Sequence, residues 1–176
     1  MIFRKALESD IDAISEIYSD THTEIEEGRA STGWVRGVYP TKETALASLA
    51  RGDLFVCEDD GAVIGTAIIN QLQVDVYASA KWEHPAPDNE VMVLHTLVIS
   101  PKASRRGYGR AFVDFYERFA LENGCVNLRM DTNALNIRAR EMYKKLGYSE
   151  IGILPCRFNG IEGVKLVLLE KCISQA

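Results

Sequence analysis

Apolar residues recur along this chain in two rhythms. Ile11, Ile14, Ile17 and Tyr18 return at intervals of three and four, which predicts a helix capped by Ser9 or Asp10. Ala45, Leu46 and Leu49 predict a second helix, opened by Thr41 and stopped by Gly52. Between them, residues 24–40 lose the rhythm in the Gly-rich stretch GRASTGWVRGVYP. Phe112, Phe115, Tyr116 and Phe119 mark a third helix ended by Gly124, and NALNIRAREMYKKLGY begins a fourth ended by Gly147. The other rhythm is strand-like. It covers residues 1–6, 54–58, 63–69, 91–99, 126–130, and two last strands around 148–154 and 163–170. Asp59-Asp60-Gly61 joins one hairpin and Asn159-Gly160 the other. Residues 71–90, with HPAPDN, carry no readable pattern.

The order is therefore β-α-α-β-β-β-α-β-α-β-β. Strand 91–99, helix and strand 126–130 form one βαβ unit with parallel strands, and the remaining pairs are expected to be antiparallel. The predicted class is α+β: a mixed, mostly antiparallel central sheet with a parallel βαβ core, flanked by helices. A length of 176 residues suits one domain, drawn over 1–176. Hydrophobic residues make up 47% and charged residues 26%, an ordinary globular balance. No apolar run approaches membrane-spanning length, and the first residues lack a signal peptide's apolar region, so the expected compartment is the cytoplasm with no membrane partner. The cysteines (Cys57, Cys125, Cys156, Cys172) read as free thiols. The histidines (His22, His84, His95) share no metal-ligand spacing, and no metal is expected.

Charge changes the picture at one place. The chain carries net charge −5, yet PKASRRGYGR (101–110) holds Lys102, Arg105, Arg106 and Arg110 around Gly107-Tyr108-Gly109. The loop lies between a strand and a helix, where backbone N–H groups lack intrahelical partners and the helix dipole favours an anion. Glycines let a ligand approach the backbone. The stretch thus reads as a phosphate cradle, or more plainly as a tight turn with solvated charges. It fits neither the P-loop nor the Rossmann pattern. The RNA-reading RNP1 motif is nearer, but two extra residues spoil its register, and the aromatics follow helical spacing. Acidic net charge also argues against nucleic acid.

A second constellation lies in the fourth helix. Asn136, Ala139 and Tyr143 stand at i, i+3 and i+7, so one face carries an amide, a gap and a phenol. The alternative is a packed tyrosine with Asn136 near the helix cap.

Together the loop and this helix resemble the GCN5-related N-acetyltransferase (GNAT) superfamily. Gly107 and Gly109 match the last fixed positions of its [QR]-x-x-G-x-[GA] loop, whereas Ser104 departs from the first and Arg105 stands where many members have glycine. N-x-x-A-x-x-M-Y-x-K-L-G-Y matches its later motif. The resemblance implies acetyl-CoA as donor, with its pyrophosphate on Ser104, Arg105, Arg106, Gly107, Tyr108, Gly109 and Arg110. It implies that pantetheine pairs with Leu97, Val98 and Ile99, that Asn136 and Ala139 border the cofactor arm, and that Tyr143 protonates the departing thiolate. His95 is the candidate base. It interrupts an apolar strand and is expected to share a face with Val93, Leu97 and Ile99. Arylalkylamine-type members place histidine at a similar position, and Val93 stands where others use glutamate. A satisfied core histidine is the competing reading.

The resemblance places the acceptor between residues 24–39 and the last hairpin, 155–163. Glu24, with Glu26 and Glu27, would draw a cationic amine, or these acids are simply the solvated end of a helix; Trp34 or Tyr39 would offer a cation–π face. Cys156, Arg157 and Phe158 would line the far wall. The implied partner is a small-molecule or peptide amine, and homodimers are common in the superfamily. The alternatives are a non-catalytic acyl-CoA-binding or sensing domain of the same fold, and an RNA-binding module.

Overall fold

The computed structural model describes residues 1–173, so the last three residues of the expected 1–176 domain lie outside the described residues. Seven strands form one sheet: β1 (Ile2–Lys5), β2 (Leu54–Asp59), β3 (Ala62–Asn70), β4 (Val91–Ile99), β5 (Asn127–Asn133), β6 (Ser149–Phe158) and β7 (Ile161–Cys172). Their order is β1-β2-β3-β4-β5-β7-β6, and β4–β5 is the parallel pair. The helices are α1 (Ile11–Glu26), α2 (Lys42–Arg51), α3 (Tyr108–Glu122) and α4 (Ile137–Lys145). The mixed, mostly antiparallel sheet with a parallel βαβ core is thus the observed fold.

Local chemistry explains the boundaries. Thr41 accepts the Thr44 N–H, and Gly52 ends α2 in the left-handed region at φ 76°. Strand alternation divides the core. Met92, Leu94, Leu128, Met130, Val167 and Leu169 face α3 and α4. Leu54, Val56 and Ile68 face α1 and α2. Val91, Val93, Leu166 and Leu168 meet Tyr77, which lies in the 3₁₀ turn Asp75–Ser79. That turn belongs to the stretch without a readable pattern.

Tyr116 holds the parallel pair together. Its buried hydroxyl reaches the Met92 carbonyl on β4 at 2.7 Å and the Arg129 carbonyl on β5 at 3.2 Å. Removing it with Tyr116→Phe is expected to cost about 1–2 kcal/mol, the scale of one buried hydrogen bond. Urea denaturation checks this, and an unchanged midpoint would deny the clamp.

Candidate active site

The β4–β5 ladder runs from Val91 opposite Asn127 to Leu94 opposite Met130 and stops there. Just beyond, β4 bulges. β3 advances two residues, Thr66 to Ile68, while β4 advances three, Val98 to His95. Thr96 takes the strain at φ 50°, unusual for a β-branched residue, and its hydroxyl is hydrogen-bonded to the Tyr39 hydroxyl. Past the bulge β4 pairs with β3 alone, while β5 continues with β7. The gap opens a cavity of about 840 Å³.

The bulge corrects one expectation. His95 does not share a face with Leu97 and Ile99. Val93 packs with Tyr77, but Leu97 and Ile99 pack on the α3 side with Met92 and Leu94. An extra residue in one strand inverts the alternation beyond it.

At one end of the cavity lie Ser104, Arg105, Gly107, Tyr108, Gly109 and Arg110. Gly107 caps α3 at φ 86°, and Arg105 is also left-handed at φ 64°. The N–H of Ala111 makes the bond to the Gly107 carbonyl, so those of Tyr108, Gly109 and Arg110 precede the helical ladder. A Cβ on Gly107 would meet nothing within 4 Å, so the turn faces open space. A Cβ on Gly109 would sit 3.5 Å from the Met142 sulfur, against α4. The loop's cations divide. Arg105 and Arg110 line the cavity; Arg106 does not, and its guanidinium lies 5.3 Å from the Tyr108 ring centroid. Lys102 is held by Glu16 at 2.8 Å and Asp20 at 2.9 Å. Arg138 supplies the cation that sequence reading missed. Its signal was a positive charge in the first turn of a helix, where the dipole disfavours it.

These features fit an acyl-CoA. The helix terminus and three arginines suit the phosphates. Leu97, Val98 and Ile99 line the cavity on the strand edge that β5 has left, with backbone groups able to pair with amides. Asn136 and Ala139 also line it. The Asn136 side chain caps α4, accepting the Ala139 N–H at 3.3 Å and donating to the Thr132 hydroxyl at 3.3 Å.

Tyr143 projects from α4 into the same cavity and is 6% exposed. Its hydroxyl has no hydrogen-bond partner among the described residues. Burial raises its pKa well above the usual phenol range, and the charge of Asp131 adds to this, so the proton stays on the oxygen.

His95 lines the cavity from β4. Asn70 donates its amide to Asp53 at 2.8 Å, and Asp53 is held by Arg51 at 2.8 Å. The Asn70 carbonyl oxygen then accepts the Leu72 N–H at 2.9 Å and faces His95 Nε2 at 3.0 Å. This assigns the hydrogen to Nε2 and leaves the lone pair on Nδ1. Burial lowers the pKa to about 4, against a smaller raising pull from the Leu72 backbone. The unfolded chain therefore binds more protons than the native state between about pH 6.5 and pH 4, so His95 makes stability fall as pH drops through that window. The contribution is on the order of 2–3 kcal/mol. Asp131, raised to about 6 by burial, works in the opposite direction. His95→Gln is expected to lose less stability than wild type between pH 7 and pH 4.5, by urea midpoints. An equal loss would contradict the neutral imidazole.

At the other end, Trp34 and Tyr39 meet edge to face with centroids 6.2 Å apart. Burial lifts the Tyr39 hydroxyl to about 12. Glu24 lines the cavity, but its carboxylate is forked by Arg29 at 2.8 and 2.6 Å. Glu27 also pairs with Arg29, and Glu26 pairs with Arg36. The expected acidic lure is therefore neutralised within its own segment. Phe158 lines the far wall; Cys156 and Arg157 do not, and Arg157 pairs with Glu162 at 3.1 Å. Sequence reading also missed Asp131, whose carboxylate accepts the Tyr77 hydroxyl at 2.8 Å in the cavity wall. A lone acid at the end of a strand gave no signal.

A family model described as the Acetyltransferase (GNAT) family matches residues 11–148, and the chain belongs to that family. The family uses acetyl-CoA as its acyl donor. Streptothricin acetyltransferase of Escherichia coli is 23% identical over 96 residues, covering 54% of this chain and 52% of that protein. The match thus spans about half of the relative's length. A GNAT-family acetyltransferase of Streptococcus agalactiae shares the fold with TM-score 0.81 and 23% identity, over 99% of this chain and 96% of the other. An acetyltransferase of Salmonella typhimurium, solved with its cofactor acetyl-CoA, superposes with TM-score 0.70 and 17% identity, over 100% and 95%.

Proposed function

We propose that the chain is an N-acetyltransferase that moves an acetyl group from acetyl-CoA to a primary amine by direct attack in a ternary complex. The observation that carries this reading is the end of the β4–β5 ladder at Leu94 and Met130, which opens the cavity between the cationic turn and Tyr143. When bound, acetyl-CoA supplies a thioester-activated acetyl group.

The residues then have separate tasks. Arg105, Arg110, Arg138 and the first N–H groups of α3 hold the phosphates. Leu97 to Ile99 pair with the pantetheine amides, and Ala139 leaves room for the arm. Trp34 and Tyr39 wall the acceptor. An ammonium acceptor must lose one proton before its nitrogen can attack, and His95 Nδ1 takes it through water. The C–N bond forms as the C–S bond breaks. Tyr143 gives its proton to the departing sulfur, and the second proton of the attacking nitrogen returns the phenol to its starting state. One proton is released overall. A positioned acid or base contributes roughly 10²–10⁴-fold.

One observation favours a second reading, a non-catalytic acyl-CoA-binding domain: an imidazole held near pKa 4 is a weak base. Release of free thiol from acetyl-CoA across a panel of amines separates the two. The panel includes small amines, amino acids, N-terminal peptides and streptothricin, which the Escherichia coli relative's name supplies. Turnover of any of them supports the enzyme. Tight acetyl-CoA binding without turnover supports the domain that only binds.

A further inference from the structure

The cavity has two electrical poles. Arg105, Arg110 and Arg138 gather at the α3 end with no ion-pair partner among the described residues. At the other end the cations are matched. Arg29 is forked by Glu24, and Arg51 holds Asp53. Among the described residues two carboxylates line the cavity, Glu24 and Asp131. Glu24 is neutralised. Asp131 has a single hydrogen bond, from the neutral Tyr77 hydroxyl, and no cation partner. Arg129, two residues earlier on β5, turns away from it. That guanidinium lies 4.1 Å from the Trp82 ring centroid and hydrogen-bonds Gln73.

Asp131 is also the first β5 residue beyond the last β4–β5 pair, Leu94 and Met130. It therefore stands at the fork of the two strands, where the cavity begins. Its charge reaches Tyr143 and Tyr39 strongly enough to raise both hydroxyls, each shifted chiefly by burial. The cavity that Asp131 lines also carries apolar and aromatic faces, among them Trp34, Tyr39, Phe158, Ile161 and Leu166. A carboxylate so placed, with one oxygen uncommitted, lacks the cation that would offset its desolvation.

We propose that Asp131 seats the acceptor's ammonium group, and that the acceptor is a primary ammonium on an apolar stem with no carboxylate beside the amine. This rests on the amine-acceptor reading and narrows it. The ammonium donates to the free carboxylate oxygen, and the stem lies along the aromatic wall. A carboxylate on the same carbon would sit next to Asp131, and the cavity's Arg29 and Arg51 are already paired with Glu24 and Asp53, so amino acids are disfavoured.

The test uses the full chain saturated with CoA, with calorimetry of three probes on one carbon frame: 2-phenylethylammonium, 2-phenylethanol and phenylalanine. Wild type is expected to bind the ammonium about tenfold or more tighter than the alcohol, the scale of a hydrogen-bonded charge pair. It should also bind the ammonium tighter than phenylalanine. Asp131→Asn, which keeps an oxygen for the Tyr77 hydroxyl, is expected to erase the preference for the ammonium over the alcohol. Its affinity for acetyl-CoA should match wild type, and that serves as the check on folding. Equal binding of ammonium and alcohol by wild type, no binding of any probe, equal or tighter binding of phenylalanine, or a preference that survives in a folded Asp131→Asn would each overturn the proposal. Catalysis is read apart from this. An ammonium preference lost in Asp131→Asn, with no amine ever acetylated, would keep the seat and sink the transferase reading.

Discussion

Gly107→Glu is expected to abolish measurable acetyl-CoA binding in a chain that still folds. The fold survives because a Cβ at this position meets nothing within 4 Å. A side chain at φ 86° costs about 1–2 kcal/mol, which a domain of this size tolerates. Binding does not survive. The new carboxylate stands at the N-terminus of α3 beside the N–H groups and arginines assigned to the phosphates. It competes for those donors and repels the ligand. Losing two or more charge-assisted hydrogen bonds corresponds to a drop of roughly 100-fold or more. Gly107→Ala separates strain from charge, because it carries the backbone cost without the anion and should keep most of the affinity. Calorimetry on the three proteins checks this, and equal affinity in all of them would remove the turn from the site.

Tyr143→Phe is expected to lower kcat by about 10²–10⁴-fold, the contribution of a positioned general acid, with the acetyl-CoA dissociation constant unchanged. The ring stays, so its packing against Tyr148, at 6.1 Å between centroids, is kept. Removing a hydroxyl without a hydrogen-bond partner among the described residues should leave stability level or slightly higher. A loss confined to kcat marks the proton donor. Unchanged turnover would mean that the thiolate leaves unaided and that Tyr143 only packs.

Much of the fold was written in local patterns, and the exceptions share a cause. Thr41 and Gly52 bounded α2 because caps are read from single residues. The Asn159-Gly160 turn was equally plain, with both residues at positive φ. β5 and β7 run further than their apolar cores, to Asn133 and Cys172, because pairing with each other extends them past the pattern. The bulge at Thr96 left no compositional trace, since one residue in a rare conformation looks like any threonine. It decides which way Leu97 and Ile99 face relative to His95, and so the predicted common face failed. Residues 71–90 were opaque because tertiary contacts fix them: Tyr77 to Asp131, and the Glu83 N–H to Glu170 at 2.6 Å.

The site follows the same division. The loop glycines, Tyr143 and the edge of β4, picked out by spacing and resemblance, all line the cavity. Which arginines face inward was not legible, because rotamers depend on neighbours: Arg106 lies by Tyr108 while Arg138 reaches the cavity. Glu24 was read as a draw for a cationic amine or as a solvated helix end, yet Arg29 five residues later pairs with it. Asp131 gained its position only when two strands separated.

The most direct test of the central claim is CoA thiol release by the wild-type chain with acetyl-CoA across the amine panel, with each product identified by mass spectrometry. The expected result is saturable turnover of at least one primary amine, with the acetyl group on its nitrogen. Tight acetyl-CoA binding with no amine acetylated anywhere in the panel would contradict the assignment and leave a domain that binds the donor without using it.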